Sequence, residues 1–202
     1  MSTVVTKKGH VLQDPPFVQK ILSDPRAGWV WFILRVWVGW QWIQASLDKI
    51  SNPAWVGGGT ALKGYWTNAI AIPASGRPAI AFGWYRTFLE FMLNAQAYTW
   101  FAKLIAYGEF LVGLGLILGA FTGIVAFFGG MMNWSYMMAG SASTNPMLFL
   151  ISVLLILAWK VSGYIGADYF LLRLIGTPWS RPENETGPAQ QPTAEKHYAP
   201  AD

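Results

Sequence analysis

The chain has 202 residues, of which 53% are apolar and only 12% charged, about half the charged share of an ordinary soluble domain. It has no cysteine, which excludes disulfides, thiol relays and cysteine-held iron–sulfur clusters. The only histidines, His10 and His197, stand near the termini, which excludes a bis-histidine haem among the apolar runs; no metal site is expected either. A net charge of +4, with the basic residues flanking apolar runs, fits membrane topology and anionic lipid rather than nucleic acid.

In chain order, residues 1–26 are polar and interrupted by Pro15, Pro16 and Pro25, unlike a signal peptide. A first apolar run over 27–47 has 21 residues, enough to cross a hydrocarbon core of about 30 Å. Segment 51–97 holds nothing apolar enough to span; it reads as loops with a short helix near 62–72 and an amphipathic helix within 82–98. On that helix Phe82, Tyr85, Leu89, Met92 and Leu93 share one face and Arg86, Glu90 and Asn94 the other. Such a helix lies in the interface plane or packs across the mouth of a bundle.

Leu104 to Gly140 is 37 residues with one charge, Glu109, too long for a single crossing. A turn at Gly119–Gly123 divides it into helices over 98–120 and 123–140. The Asn145-Pro146 pair starts a last helix over 146–165, and a short interfacial helix follows near 166–175. The tail over 177–202 is proline-rich and polar, hence disordered unless a partner holds it. The fold class expected is an all-α integral membrane protein: four transmembrane helices over 27–176, with interfacial helices in the first connection. Eight Lys and Arg then fall on the side of the termini and five on the other, apart from Arg35. That bias puts both termini in the cytoplasm.

Charges inside apolar helices are costly, about 2.5–3.5 kcal/mol each on insertion scales. Counting the helical rise from a common boundary places Arg35, Glu109 and Asn133 in one layer, each about 12–18 Å deep. One reading is an Arg35–Glu109 ion pair, supported by Asn133, that fixes helix register. The other is a site for a polar ligand head, with Glu109 loading and unloading a proton. Asp48 and Lys49, with Trp55, Trp66 and Lys103, are candidates for an outward-facing pocket, although snorkelling also accounts for the lysines. The first helix is crowded with tryptophans, among them Trp37, Trp40 and Trp42, which pack against neighbours or flank a flat ligand. Gly115-x-x-x-Gly119 permits close helix approach.

Four stretches, RVWVGWQWIQASLDK from Arg35, YGEFLVGLGLILGAFTG from Tyr107, NWSYMMAGSASTNP from Asn133 and AWKVSGYIGADYF from Ala158, resemble the DoxX/DoxD family of small four-helix membrane proteins. The long first connection is similar to the DoxD branch, which is linked to thiosulfate:quinone oxidoreductase. The resemblance implies a bacterial or archaeal cytoplasmic membrane and a quinone as electron acceptor. It makes Arg35 and Glu109 the candidate catalytic residues. Arg35, Trp37, Trp40, Lys103, Glu109 and Asn133 are the candidate contacts for a quinone, lipid or pigment. The expected partners are the bilayer and further membrane subunits. The competing expectations are a non-catalytic accessory subunit of a respiratory or photosynthetic assembly and a small-solute transporter.

Overall fold

Long apolar runs can satisfy their own backbone only as helices. The computed structural model is all-helical over the residues it describes, 14–176, with no strand among them. The expectations for residues 1–13 and for the tail from 177 lie outside the described residues.

A short helix α1 (Pro16–Leu22) and a 3-10 turn lead into α2 (Gly28–Ile50). The first connection folds as α3 (Pro53–Val56), α4 (Thr60–Ile70) and α5 (Gly83–Asn94). Then come α6 (Tyr98–Leu118), α7 (Thr122–Met138), α8 (Asn145–Leu157), a one-turn α9 (Trp159–Ser162) and α10 (Asp168–Ile175). Among the described residues α6 alone is long and apolar enough, by length and composition, to cross a membrane, while α8 is apolar but shorter. The 23 residues of α2 include Arg35, two glutamines, Asp48 and Lys49, which lower its mean hydropathy. The last apolar run does not continue to 165 as one helix. It breaks at Ala158, where Ser162 Oγ donates to the carbonyl of Leu155 at 3.3 Å.

Two cores hold the molecule. The bundle core joins Trp31, Val38 and Trp42 of α2 to Val112 and Leu116 of α6, Ala126 of α7, and Leu148, Ile151 and Leu155 of α8. Glycines set its tightest contact: a Cβ on Gly113 would stand 2.8 Å from the carbonyl oxygen of Gly39, so α2 and α6 meet backbone to backbone. The close approach thus lies two residues before the Gly115-x-x-x-Gly119 pair, whose Gly119 instead takes the left-handed cap (φ 67°) that ends α6.

The second core is a cap built from the first connection. Leu62 and Trp66 of α4 and Tyr85, Leu89 and Met92 of α5 pack with Ile80, Ala102 and Ala139. The predicted apolar face of α5 is the one that packs into this cap, although Phe82 stays exposed. Tyr85 donates its hydroxyl to the carbonyl of Ser135 at 2.9 Å and Tyr65 to that of Tyr136 at 3.4 Å. Burial pushes both phenols above their ordinary pKa, so they remain neutral donors.

Candidate functional site

At the end of the bundle away from the cap, the turn between α6 and α7 leaves helix-terminal carbonyls and amides without helical partners. The sequence supplies them one by one. Ala120 N–H bonds the Gly115 carbonyl at 3.0 Å and Gly119 N–H that of Leu116 at 3.3 Å, a Schellman closure. Arg35 donates Nη1 to the carbonyls of Leu116 and Ile117, the latter at 3.0 Å, and Nη2 to that of Ile165 at 2.7 Å. Ala167 and Asp168 amides take the carbonyls of Leu118 and Gly119 at 3.0 and 2.7 Å. The Asp168 carboxylate in turn accepts the Phe121 and Thr122 amides at 2.5 and 2.8 Å. A cation thus sits at the negative end of α6 and an anion at the positive end of α7, each favoured by the helix dipole. Gly163 and Gly166 make room: a Cβ on the first would strike Asp168, and on the second would lie 2.9 Å from the Leu118 carbonyl.

Toward the cap, a different cluster forms. Lys49, at the end of α2, turns its Nζ to Glu109 Oε2 at 2.8 Å, and Tyr136 of α7 donates its hydroxyl to Oε1 at 2.6 Å. Lys49 is 18% exposed and Glu109 only 1%. The ammonium also lies 5.2 Å from the Trp55 ring centroid and 6.0 Å from that of Tyr136, close enough for cation–π attraction. Tyr65 meets the Tyr136 ring edge to face. These groups line a cavity of about 380 Å³ together with Gln41, Trp42, Asn133 and Asn145, within the about 300–1,000 Å³ typical of ligand sites. Three buried polar atoms of its lining, Asn133 Nδ2, Asn133 Oδ1 and Trp42 Nε1, have no hydrogen-bond partner among the described residues. Buried polar atoms normally have one.

The expected layer of Arg35, Glu109 and Asn133 is therefore two layers. Glu109 and Asn133 line one cavity, but Arg35 belongs to the turn clasp, and the Arg35–Glu109 ion pair is replaced by Lys49–Glu109. The depth count assumed flush helix ends, whereas α2 starts about 10 Å (seven residues) beyond the level at which Arg35 meets the end of α6. Of the remaining candidates, Trp37 and Trp40 are 43% and 52% exposed on the outside of α2, and Lys103 is exposed on α6. Trp66 is enclosed in the cap core, while Lys49 and Trp55 line the cavity. Tyr136 was missed, although a residue three after Asn133 shares its helix face. Tyr65 was missed too, because nothing in a loop-rich connection announces that it folds back. Over the described residues the geometry defines an all-helical fold with a partly open polar pocket between two apolar cores. Neither family models, curated proteins nor solved structures match the chain.

Proposed function

We propose that the chain is a four-helix integral membrane protein of the DoxX/DoxD type whose polar pocket binds the head group of a quinone. The observation that carries this reading is the gathering of the Lys49–Glu109–Tyr136 cluster with Asn133 and Trp42, whose buried polar atoms lack partners among the described residues, around one cavity. A quinone head is flat, apolar on its faces and a hydrogen-bond acceptor at two opposite oxygens, which suits N–H donors set among aromatic rings. Glu109, linked to Lys49 and Tyr136, is the group that would exchange protons with the reduced head. Reduction needs electrons from elsewhere, because the chain has no cysteine and no histidine between residues 10 and 197. The chain is thus a quinone-associated subunit beside a redox partner, the resemblance pointing to a thiosulfate-oxidising one.

Multi-pass insertion is supported by the outer surface. Ile33 and Trp40 of α2, Leu111 of α6, Phe128 of α7 and Leu150 and Leu157 of α8 are all exposed, the large apolar side chains that a lipid-facing surface presents. The arrangement fits the cytoplasmic membrane of a bacterium or archaeon, with the clasp end inside by the basic-residue bias.

The test is titration of the purified protein in mild detergent with a short-tailed ubiquinone analogue, read by quenching of tryptophan fluorescence. Saturable quenching is expected, with Asn133→Leu raising Kd about tenfold, the worth of one or two hydrogen bonds. Linear, unsaturable quenching, or equal Kd in the variant, overturns the reading. The accessory-subunit reading draws on the same lack of redox ligands. Co-purification with larger redox subunits at fixed stoichiometry, without quinone binding, would favour it.

A further inference from the structure

Glycine weakens a helix interior relative to alanine, so each glycine within α6 calls for a reason. Two have one. A Cβ on Gly113 would press on the Gly39 carbonyl, and one on Gly115 would stand 2.9 Å from Val125 Cγ2. Gly108 has no such neighbour: a Cβ there meets nothing within 4 Å. Its bare backbone borders a second cavity, about 500 Å³, between α6 and α7, walled by Leu104, Leu111, Phe128, Met131 and Met132. Apart from the Ser135 and Tyr136 polar atoms, every side chain of this groove is apolar.

The groove and the polar pocket share one wall, Tyr136. Its hydroxyl serves Glu109 on the pocket side, and the residue also bounds the groove. From Tyr136 the groove follows α7 back to Val125, a distance of about 16 Å along the helix. The polar pocket and a long, partly open apolar groove thus lie on either side of a single aromatic residue. The two methionines, unbranched and adaptable, suit a flexible hydrocarbon.

We infer that the groove at Gly108 holds the prenyl tail of the same quinone whose head occupies the polar pocket, with the tail passing beside Tyr136. This rests on the head-group reading and adds that the ligand is a tailed, membrane-soluble quinone rather than a free aromatic solute. Gly108 is then a specificity residue: a Cβ there meets nothing within 4 Å, so a side chain would extend into the groove.

The experiment compares a tailless dimethoxy-methyl-benzoquinone with its decyl-tailed counterpart, on wild type, Gly108→Leu and Met131→Trp, the last filling the groove from the opposite wall. The expected result is about tenfold weaker binding of the tailed compound by both variants, from the methylenes they displace, with the tailless compound unaffected. Met131→Trp carries the test alone if Gly108→Leu does not purify. Unchanged affinity for the tailed compound in the variants overturns the inference and leaves the head-group reading standing, the tail then lying in bulk lipid or detergent. Equal weakening of both compounds also overturns it, since the variants would then act on the head pocket. Saturable binding of neither compound to wild type overturns the head-group reading, and this inference with it.

Discussion

Burying Glu109 beside Lys49 commits two charges to each other, and their unequal exposure makes the two partners unequal. Lys49 can turn toward solvent at the edge of the cavity if its carboxylate is removed, whereas Glu109 has no such exit. Lys49→Met is therefore expected to cost about 3–5 kcal/mol, the usual penalty for an uncompensated buried charge. Glu109→Gln should cost distinctly less, and the double variant should recover part of the Lys49→Met loss. Chemical unfolding of the four proteins in one detergent checks this, and equal costs for the two single variants would contradict it. Arg35 makes a different demand. Its guanidinium spans carbonyls on two separate elements, Leu116 and Ile117 on one side and Ile165 on the other. An ammonium is a point donor on a flexible stem and cannot fork in that way. Arg35→Lys should thus lower stability by about 1.5–3 kcal/mol, the worth of hydrogen bonds to a charged group, despite keeping the charge. A thermal melt indistinguishable from wild type would exclude the clasp.

Between elements, what was legible in the sequence followed from pattern, and what was not followed from tertiary offset. The Gly119 turn, the helices on either side of it and the buried face of α5 all rest on local signals: a positive-φ cap, unbroken apolar runs, a helical period. The ion-pair partners do not. Arg35, Glu109 and Lys49 were all visible as charges in or beside apolar runs, whereas Asp168 was not singled out, and partner choice depends on how far α2 overruns the end of α6, which no local pattern encodes. Nor did periodicity show that Gly39 and Gly113 form the point of contact, because Gly115-x-x-x-Gly119 matches the familiar spacing better. The cap makes its own prediction. The folded state holds the Tyr85 proton more tightly than the unfolded chain does, since burial raises its pKa above 10.0. Stability linked to it is therefore complete below that value and falls as pH rises through the folded pKa. Tyr85→Phe should lose about 1 kcal/mol near neutral pH with its bond to Ser135. Between neutrality and about pH 11 it should then decline less than wild type. Proteolysis of the cap at the two pH values reads the difference, and parallel declines would remove Tyr85 from the latch.

For the molecule as a whole, two features at its ends make the proposed four-crossing topology testable. The cap and the pocket sit at one end, with the α4–α5 loop around residue 75 and the α7–α8 loop around residue 142, and the Arg35–Asp168 clasp sits at the other, near Ser23. If α2, α6, α7 and α8–α9 all cross, then positions 75 and 142 share one face of the membrane and Ser23 lies on the opposite face. If α6 alone crosses, the helix that passes on length and composition, Ser23 and Ser75 share a face and position 142 lies across from them. The absence of cysteine from the chain makes it a ready background for deciding. Single replacements Ser23→Cys, Ser75→Cys and Ala142→Cys, all at exposed positions, are treated in intact cells with a membrane-impermeant maleimide before and after lysis. Under the proposed four-crossing topology, labelling of S75C and A142C from outside, with S23C reacting only after lysis, is expected, since the basic-residue bias would put the terminal side in the cytoplasm. Labelling of S23C together with S75C would reduce the protein to a single crossing. The polar pocket would then open to water rather than to the lipid phase, and a membrane-soluble quinone could not reach it.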